Sequence, residues 1–201
     1  MNISSMRTTI FLLAIMCFEI NAQSFGQNKV QYKDFDWNYI QTSHFDIYYY
    51  DGEQNLAEFV ADVAEESYEQ ISIHLRWNLK NRVSIMVYNS HNEFQQTNVV
   101  RPYMREGVGG VTELFKNRVV FPFEGNYEQF RHVIHHELVH AMINDMIYGG
   151  RMQNIISSRA KIRVPIWSNE GLAEYLSSNW DTKADMTMRD IAVHERMPSV
   201  K

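Results

Sequence analysis

The 201-residue sequence predicts an α+β fold in which a mixed sheet and a central helix form one lobe, followed by a helical part. Two observations predict it. Between His44 and Val87 the spacing of apolar residues changes from two to that of a helix and back to two, which reads as strand, helix, strand. Farther along, the stretch from Phe130 to Ile143 is apolar around most of its circumference, as expected of a helix buried at the centre of a domain. A second apolar, helix-compatible stretch runs from Pro165 to Tyr175.

The elements follow in order. Arg7 in a short polar start, the apolar run from Ile10 to Phe18, and Asn21-Ala22 before Gln23 read as an export signal over residues 1–22. That run is too short for a membrane span, so no stable span is expected after cleavage. Cys17, the single cysteine, lies inside it, and cleavage leaves a mature chain with neither a disulfide nor a cysteine ligand. Bulky Met16 before Cys17 argues against lipoprotein processing, so the expected location is periplasmic or secreted. Residues 23–41 read as a loose lead-in, and residues 42–201 as the domain.

Phe45, Ile47 and Tyr49 alternate as a strand until Asp51-Gly52 breaks it. Leu56, Val60, Val63, Ser67, Ile71 and Leu75 then recur at helical spacing, with acidic residues on the outer side. Val83, Ile85 and Val87 alternate again, and Ser90 with Glu93 forms a capping box for a short helix. Gly109-Gly110 opens two short strands from Val111 to Phe121, folded about Lys116-Asn117 and ended by Pro122. Asn126 with Gln129 caps the central helix, and Gly149-Gly150 stops it.

Inside that central helix stands His136-Glu137-Leu138-Val139-His140. Residues four apart on a helix lie roughly 6 Å apart on one face, so both imidazoles can close on one metal ion. Zinc held by three protein ligands keeps a fourth position for water and lowers that water's pKa to about 7. Glu137, beside the first ligand, is the candidate general base. The motif alone is only moderately specific, and it requires a third ligand. Glu170, in the second helical stretch, is the candidate. Glu174 lies one turn further on, placed to hydrogen-bond the far nitrogen of a ligating imidazole. His132 and His135 are not followed by Glu in the needed register; His132 either lines the cleft or is solvated at the helix start. His194, Tyr148, Tyr175, Arg163 and Tyr103 are candidates for oxyanion stabilisation.

At these residues the chain resembles the gluzincin metallopeptidases, which combine H-E-x-x-H with a later Glu ligand. Asn169-Glu170-Gly171-x-Ala173 is similar to a segment of the aminopeptidase N and leukotriene hydrolase family, and the acid at Glu174 to the thermolysin pattern. The interval from His140 to Glu170 is longer than in either family. A closer resemblance is to bacterial peptidase-MA-like domains whose helix reads Pro-x-Trp-x-x-Glu-Gly-x-Ala-Glu-Tyr, often found ahead of TolB-like β-propellers. It covers residues from about Thr42 to Lys201, strongly in the two motif helices and in pattern elsewhere. The resemblance implies a zincin-like lobe and one Zn²⁺ held by His136, His140 and Glu170. It also implies that a sheet edge, either Val119-Val120-Phe121 or Val111-Thr112-Glu113, pairs with extended substrate. A plain structural hairpin is the alternative for that edge. Because related domains continue with further helices, the chain is expected to be incomplete at its C-terminus and to lack a C-terminal propeller.

A formal net charge of −5 and the absence of a basic stripe make nucleic acid an unsuitable partner. A peptide or protein substrate suits the motifs instead. The expected function is therefore that of an exported zinc peptidase. The rival readings are a non-catalytic exported binding module with a structural or vestigial metal site, and a hydrolase of non-peptide amides or esters.

Overall fold

The computed structural model describes residues 29, 31–50, 52–97, 107–113, 117–149, 164–178, 180, 182–194 and 196. The export signal and Cys17, the turn residue Lys116, the stop residue Gly150, Tyr103, Arg163 and the chain end lie outside the described residues. Five strands and five helices are present among them: β1 (Asn38–Gln41), β2 (Phe45–Tyr49), α1 (Gln54–Leu75), β3 (Val83–Tyr88), α2 (His91–Phe94), β4 (Val111–Glu113), β5 (Arg118–Pro122), α3 (Tyr127–Tyr148), α4 (Ile166–Ser177) and α5 (Thr182–Val193).

The sheet is mixed, with order β1-β2-β3-β5-β4. β2, β3 and β5 run parallel at its centre, and β1 and β4 flank them antiparallel. This arrangement decides which expected edge is an edge. Val119 and Val120 on β5 are paired with β3 on one side and β4 on the other, and Phe121 is paired with β3, so this run is not the sheet's edge. Val111–Glu113 is the outermost strand among the described residues. The sequence could not separate the two because both runs are short, and only strand order distinguishes them.

Alternation along the central strands sends Phe45, Ile47, Val83, Ile85, Val87, Val119 and Phe121 to one face, where α1 and α3 cover them. The apolar stripe of α1, including Leu56, Val60, Val63 and Ile71, is fully buried there, as its spacing required. From α3 come Phe130, Ile134, Leu138, Val139, Ala141 and Met142. Buried Asp145 near the end of α3 accepts hydrogen bonds from Trp77 Nε1 (2.9 Å) and Lys80 N (3.2 Å), which ties the α1–β3 turn to that helix.

A smaller cluster covers the opposite face, where Tyr50, Tyr88, Phe94 and Val120 pack with Phe35 and Trp37. Residues 31–41 are therefore part of the fold. Gln96 Oε1 accepts from Tyr32 N (2.7 Å) and Lys33 N (3.2 Å), and Asn38–Gln41 pair with β2. β1 carries no alternating pattern, since most of it is exposed, and its backbone pairing alone makes it a strand. Ser90 caps α2 by accepting from Glu93 N at 3.2 Å. The Glu93 carboxylate is drawn to the Tyr50 hydroxyl (2.6 Å) and Lys33 Nζ (3.0 Å). Burial, reinforced by that carboxylate, pushes the Tyr50 phenol well above its usual range. Among the described residues no helix is long and apolar enough to cross a membrane.

Candidate metal centre

The central helix α3 starts where Asn126 accepts hydrogen bonds from Glu128 N (3.0 Å) and Gln129 N (3.1 Å), and it stops at Gly149, whose φ of 64° suits glycine. The His136–His140 motif thus occupies its middle turns. α4 begins after Pro165, whose carbonyl accepts from Ser168 N and Asn169 N, both at 3.0 Å. Packing of α4 on α3 brings Glu170 over the two imidazoles.

Glu170 Oε2 lies 3.4 Å from His136 Nε2 and 3.4 Å from His140 Nε2. The rings stand 5.0 Å apart at 80°, and the three ligand atoms lie within 4.8 Å of one another. These separations exceed the usual length of a direct N–H···O bond, about 2.9–3.0 Å. They match the edge of a tetrahedron whose centre lies about 2.0–2.1 Å from each corner, which is about 3.3–3.4 Å. The two carboxylate-to-imidazole separations are therefore compatible with a small divalent ion held between the three groups.

The outer nitrogens of both rings are also engaged. His140 Nδ1 lies 2.9 Å from Asn169 Nδ2, and His136 Nδ1 lies 3.5 Å from Glu174 Oε2. A cation on each Nε2 would leave the ring proton on each Nδ1, facing Glu174 Oε2 at His136 and, once the Asn169 amide is turned end for end so that its oxygen replaces Nδ2, facing that oxygen at His140. Such partners fix the tautomer and the ring direction. Glu174 is in turn held by Ser178 Oγ, which donates to Oε1 at 2.9 Å.

His132 is not merely solvated at the helix start. Its Nδ1 lies 3.3 Å from both Ser177 O and Ser178 Oγ, and its Nε2 lies 3.6 Å from Glu174 Oε2. His132, His136 and Glu174 consequently make a second, overlapping group of potential ligands. The two groups compete for His136, because a neutral imidazole binds a metal through one nitrogen and donates through the other. The first group includes His140, the more enclosed ring at 10% side-chain exposure against 37% for His132. His132 is followed by Val133, whereas His136 is followed by Glu137. Burial, with the charge of His132 next, pushes the neighbouring His135 imidazole below its usual pKa.

Glu137 is gripped from β4. Thr112 Oγ1 lies 2.6 Å from Glu137 Oε2 and 3.0 Å from its main-chain oxygen. A methyl at Gly110 would sit 2.8 Å from Glu137 Cγ and 2.9 Å from the Phe121 ring, so glycine there lets the strand entrance lie directly against the Glu137 side chain. A methyl at Gly109 would meet Val133 at 2.9 Å. The sequence marked Thr112 only as part of a possible sheet edge, and showed neither its contact with Glu137, nor the packing role of the glycine pair, nor the partner of Asn169. Its only signal for the glycines was a turn.

Of the oxyanion candidates, Tyr175 is 77% exposed on α4, and His194 Nδ1 is engaged with Asp190 O at 2.9 Å on its own helix. Tyr148 lies two turns beyond His140, about 12 Å along the helix. Arg163 and Tyr103 lie outside the described residues. No protein-family model matches this chain, and no curated protein or solved structure does either.

Proposed function

We propose that this chain is an exported zinc-dependent peptidase in which His136, His140 and Glu170 hold one Zn²⁺ and Glu137 is the general base. The observation that carries the reading is the pair of 3.4 Å separations from Glu170 Oε2 to the two Nε2 atoms. Zinc held there would supply a water activated near neutral pH and a Lewis acid for a substrate carbonyl. Glu137 takes the proton from the attacking water and returns it to the departing amine. Glu174 facing His136 Nδ1, and Asn169 with its amide turned to present the oxygen to His140 Nδ1, would hold the imidazoles in the tautomer that leaves Nε2 available. β4, as the outer strand, offers backbone groups to an extended peptide. The apolar run behind Arg7 supports export to the periplasm or beyond.

The test is hydrolysis of a quenched peptide library by the mature chain, abolished by a chelator and restored by zinc. Glu137→Gln is expected to keep its zinc and lose about 10²- to 10⁴-fold in turnover. Turnover at the wild-type rate in that variant removes Glu137 from its role. The rival reading, a binding module with a structural metal, draws support from exposed Ile166, Trp167, Tyr175 and Trp180 in and beside α4. Zinc bound stoichiometrically without any hydrolysis would favour it.

A further inference from the structure

We infer that Thr112 is the positioning residue that aims the Glu137 carboxylate, so that the strand offered to an extended peptide also sets the direction of the base. The inference rests on the peptidase reading above. A threonine hydroxyl has one proton to give, and two acceptors face it, the Glu137 main-chain oxygen at 3.0 Å and Oε2 at 2.6 Å. The shorter contact has the length of an O–H···O⁻ bond, about 2.5–2.7 Å, so the proton goes to the carboxylate. That bond fixes one oxygen of the base and leaves the other to work.

Three features make Thr112 a rigid post. Its β-branched side chain has few rotamers. Its backbone is in register with Val119 of β5, and next to it the Glu113 carboxylate is clamped by Arg118 Nη2 at 2.6 Å and Nε at 2.9 Å. Val111 packs into the cluster on the opposite face of the sheet, so alternation turns Thr112 toward α3. Gly110 adds an independent constraint, because its backbone lies against the Glu137 stem where no Cβ would fit. Between that wall and the hydroxyl, the side chain of Glu137 is restricted at both its middle and its end. A peptide pairing with β4 would therefore bind to the same strand that holds the base, and register on the strand would place the scissile carbonyl relative to the carboxylate.

The experiment compares Thr112→Val, which keeps the shape and removes the donor, with Thr112→Ser, which keeps the donor. Thr112→Val is expected to lose about 10- to 100-fold in kcat, with KM within about twofold and zinc content unchanged. Thr112→Ser is expected to recover most of that loss. Wild-type kcat in Thr112→Val, or a Thr112→Ser variant as slow as Thr112→Val, overturns the inference. If valine prevents folding, Thr112→Ala replaces it against Thr112→Ser, and equal rates in those two overturn it equally. A second readout does not depend on activity. In the metal-free protein, unfolding of Thr112→Val, Glu137→Gln and the double variant should show a coupling of about tenfold in the unfolding equilibrium. Strict additivity there overturns the inference. Absence of hydrolysis by the wild type, with the coupling present, would instead count against the peptidase reading alone.

Discussion

Helix α4 should depend on zinc for its place on the molecule more than any other helix that contributes to the site. It is 12 residues long, and Ala173 is its single fully buried residue, with Leu176 half-buried beside it. α1, by contrast, buries nine residues. Isolated helices shorter than about 12–15 residues are marginal in water, and burying one methyl group contributes only about 0.8 kcal/mol. Without a cation, the carboxylate contacts from α4 to the two motif imidazoles are separations of 3.4–3.5 Å, and Glu170 and Glu174 are more than half exposed, so they add little, which leaves the 2.9 Å contact of Asn169 with His140 as the close polar link between α4 and those rings. A zinc ion bound through His136 and His140 on one side and Glu170 on the other joins the helices directly. At free zinc about 100 times its dissociation constant the linkage is about 2.7 kcal/mol, or about 100-fold in the opening equilibrium. Amide hydrogen exchange reads this, under conditions where exchange follows opening. Amides of residues 170–177 are expected to slow about 100-fold when zinc is added to the stripped protein. In Glu170→Ala the same addition should leave α4 unprotected, because the two histidines alone bind zinc without engaging α4. Exchange in α4 that ignores zinc in the wild type, or zinc protection that survives Glu170→Ala, would refute the reasoning.

Two other outcomes follow from particular contacts. Asn169→Ala removes the partner of His140 Nδ1 and should weaken zinc binding about 10- to 100-fold in competition with a chromophoric chelator, with the fold intact; unchanged affinity would reduce Asn169 to a helix-start residue. Glu65 gives a pH-dependent case away from the site. Burial alone would raise its carboxyl, but hydrogen bonds from the His44 ring (2.6 Å), Thr42 and His44 N (2.8 Å) outweigh that and hold it below its usual value of 4.5. A depressed carboxyl contributes stability that is complete above the unfolded value and lost as the pH falls through the folded one. The stability gap between wild type and Glu65→Gln, from urea midpoints, should therefore be constant above pH 4.5 and close below it. A gap that widens toward acid would contradict this account.

Much of the architecture was legible because burial leaves a periodic record. α1, β2, β3 and the length of α3 all follow from which residues the core requires to be apolar, and the caps at Ser90 and Asn126 from side chains that can satisfy free N–H groups. β1 and α5 left no such record. β1 is almost wholly exposed, and among the side chains described on α5 none is fully buried, so neither needs a patterned face. The two motif helices were legible for a different reason. Spacing of four on α3 already puts His136 and His140 on one face, and the same spacing on α4 puts Glu170 and Glu174 on another, so each half of the group is local in sequence.

What joins the halves is not local, and there the sequence was silent. Whether Glu170 Oε2 lies equidistant from two rings depends on how α4 crosses α3, and whether β4 or β5 is the outer strand depends on the order of the sheet. Gly109-Gly110 shows how such information is hidden. Read along the chain, the pair marks a turn; read across it, the same missing side chains let β4 pass within van der Waals reach of Val133 and Glu137. The hydroxyl two residues later then reaches the carboxylate only because the backbone has come so close. A larger residue at Gly110 would push away the strand carrying Thr112 or turn Glu137 aside, and in either case the carboxylate would lose its partner. The small residue and the hydrogen bond are thus one device, although only the geometry of the folded chain connects them.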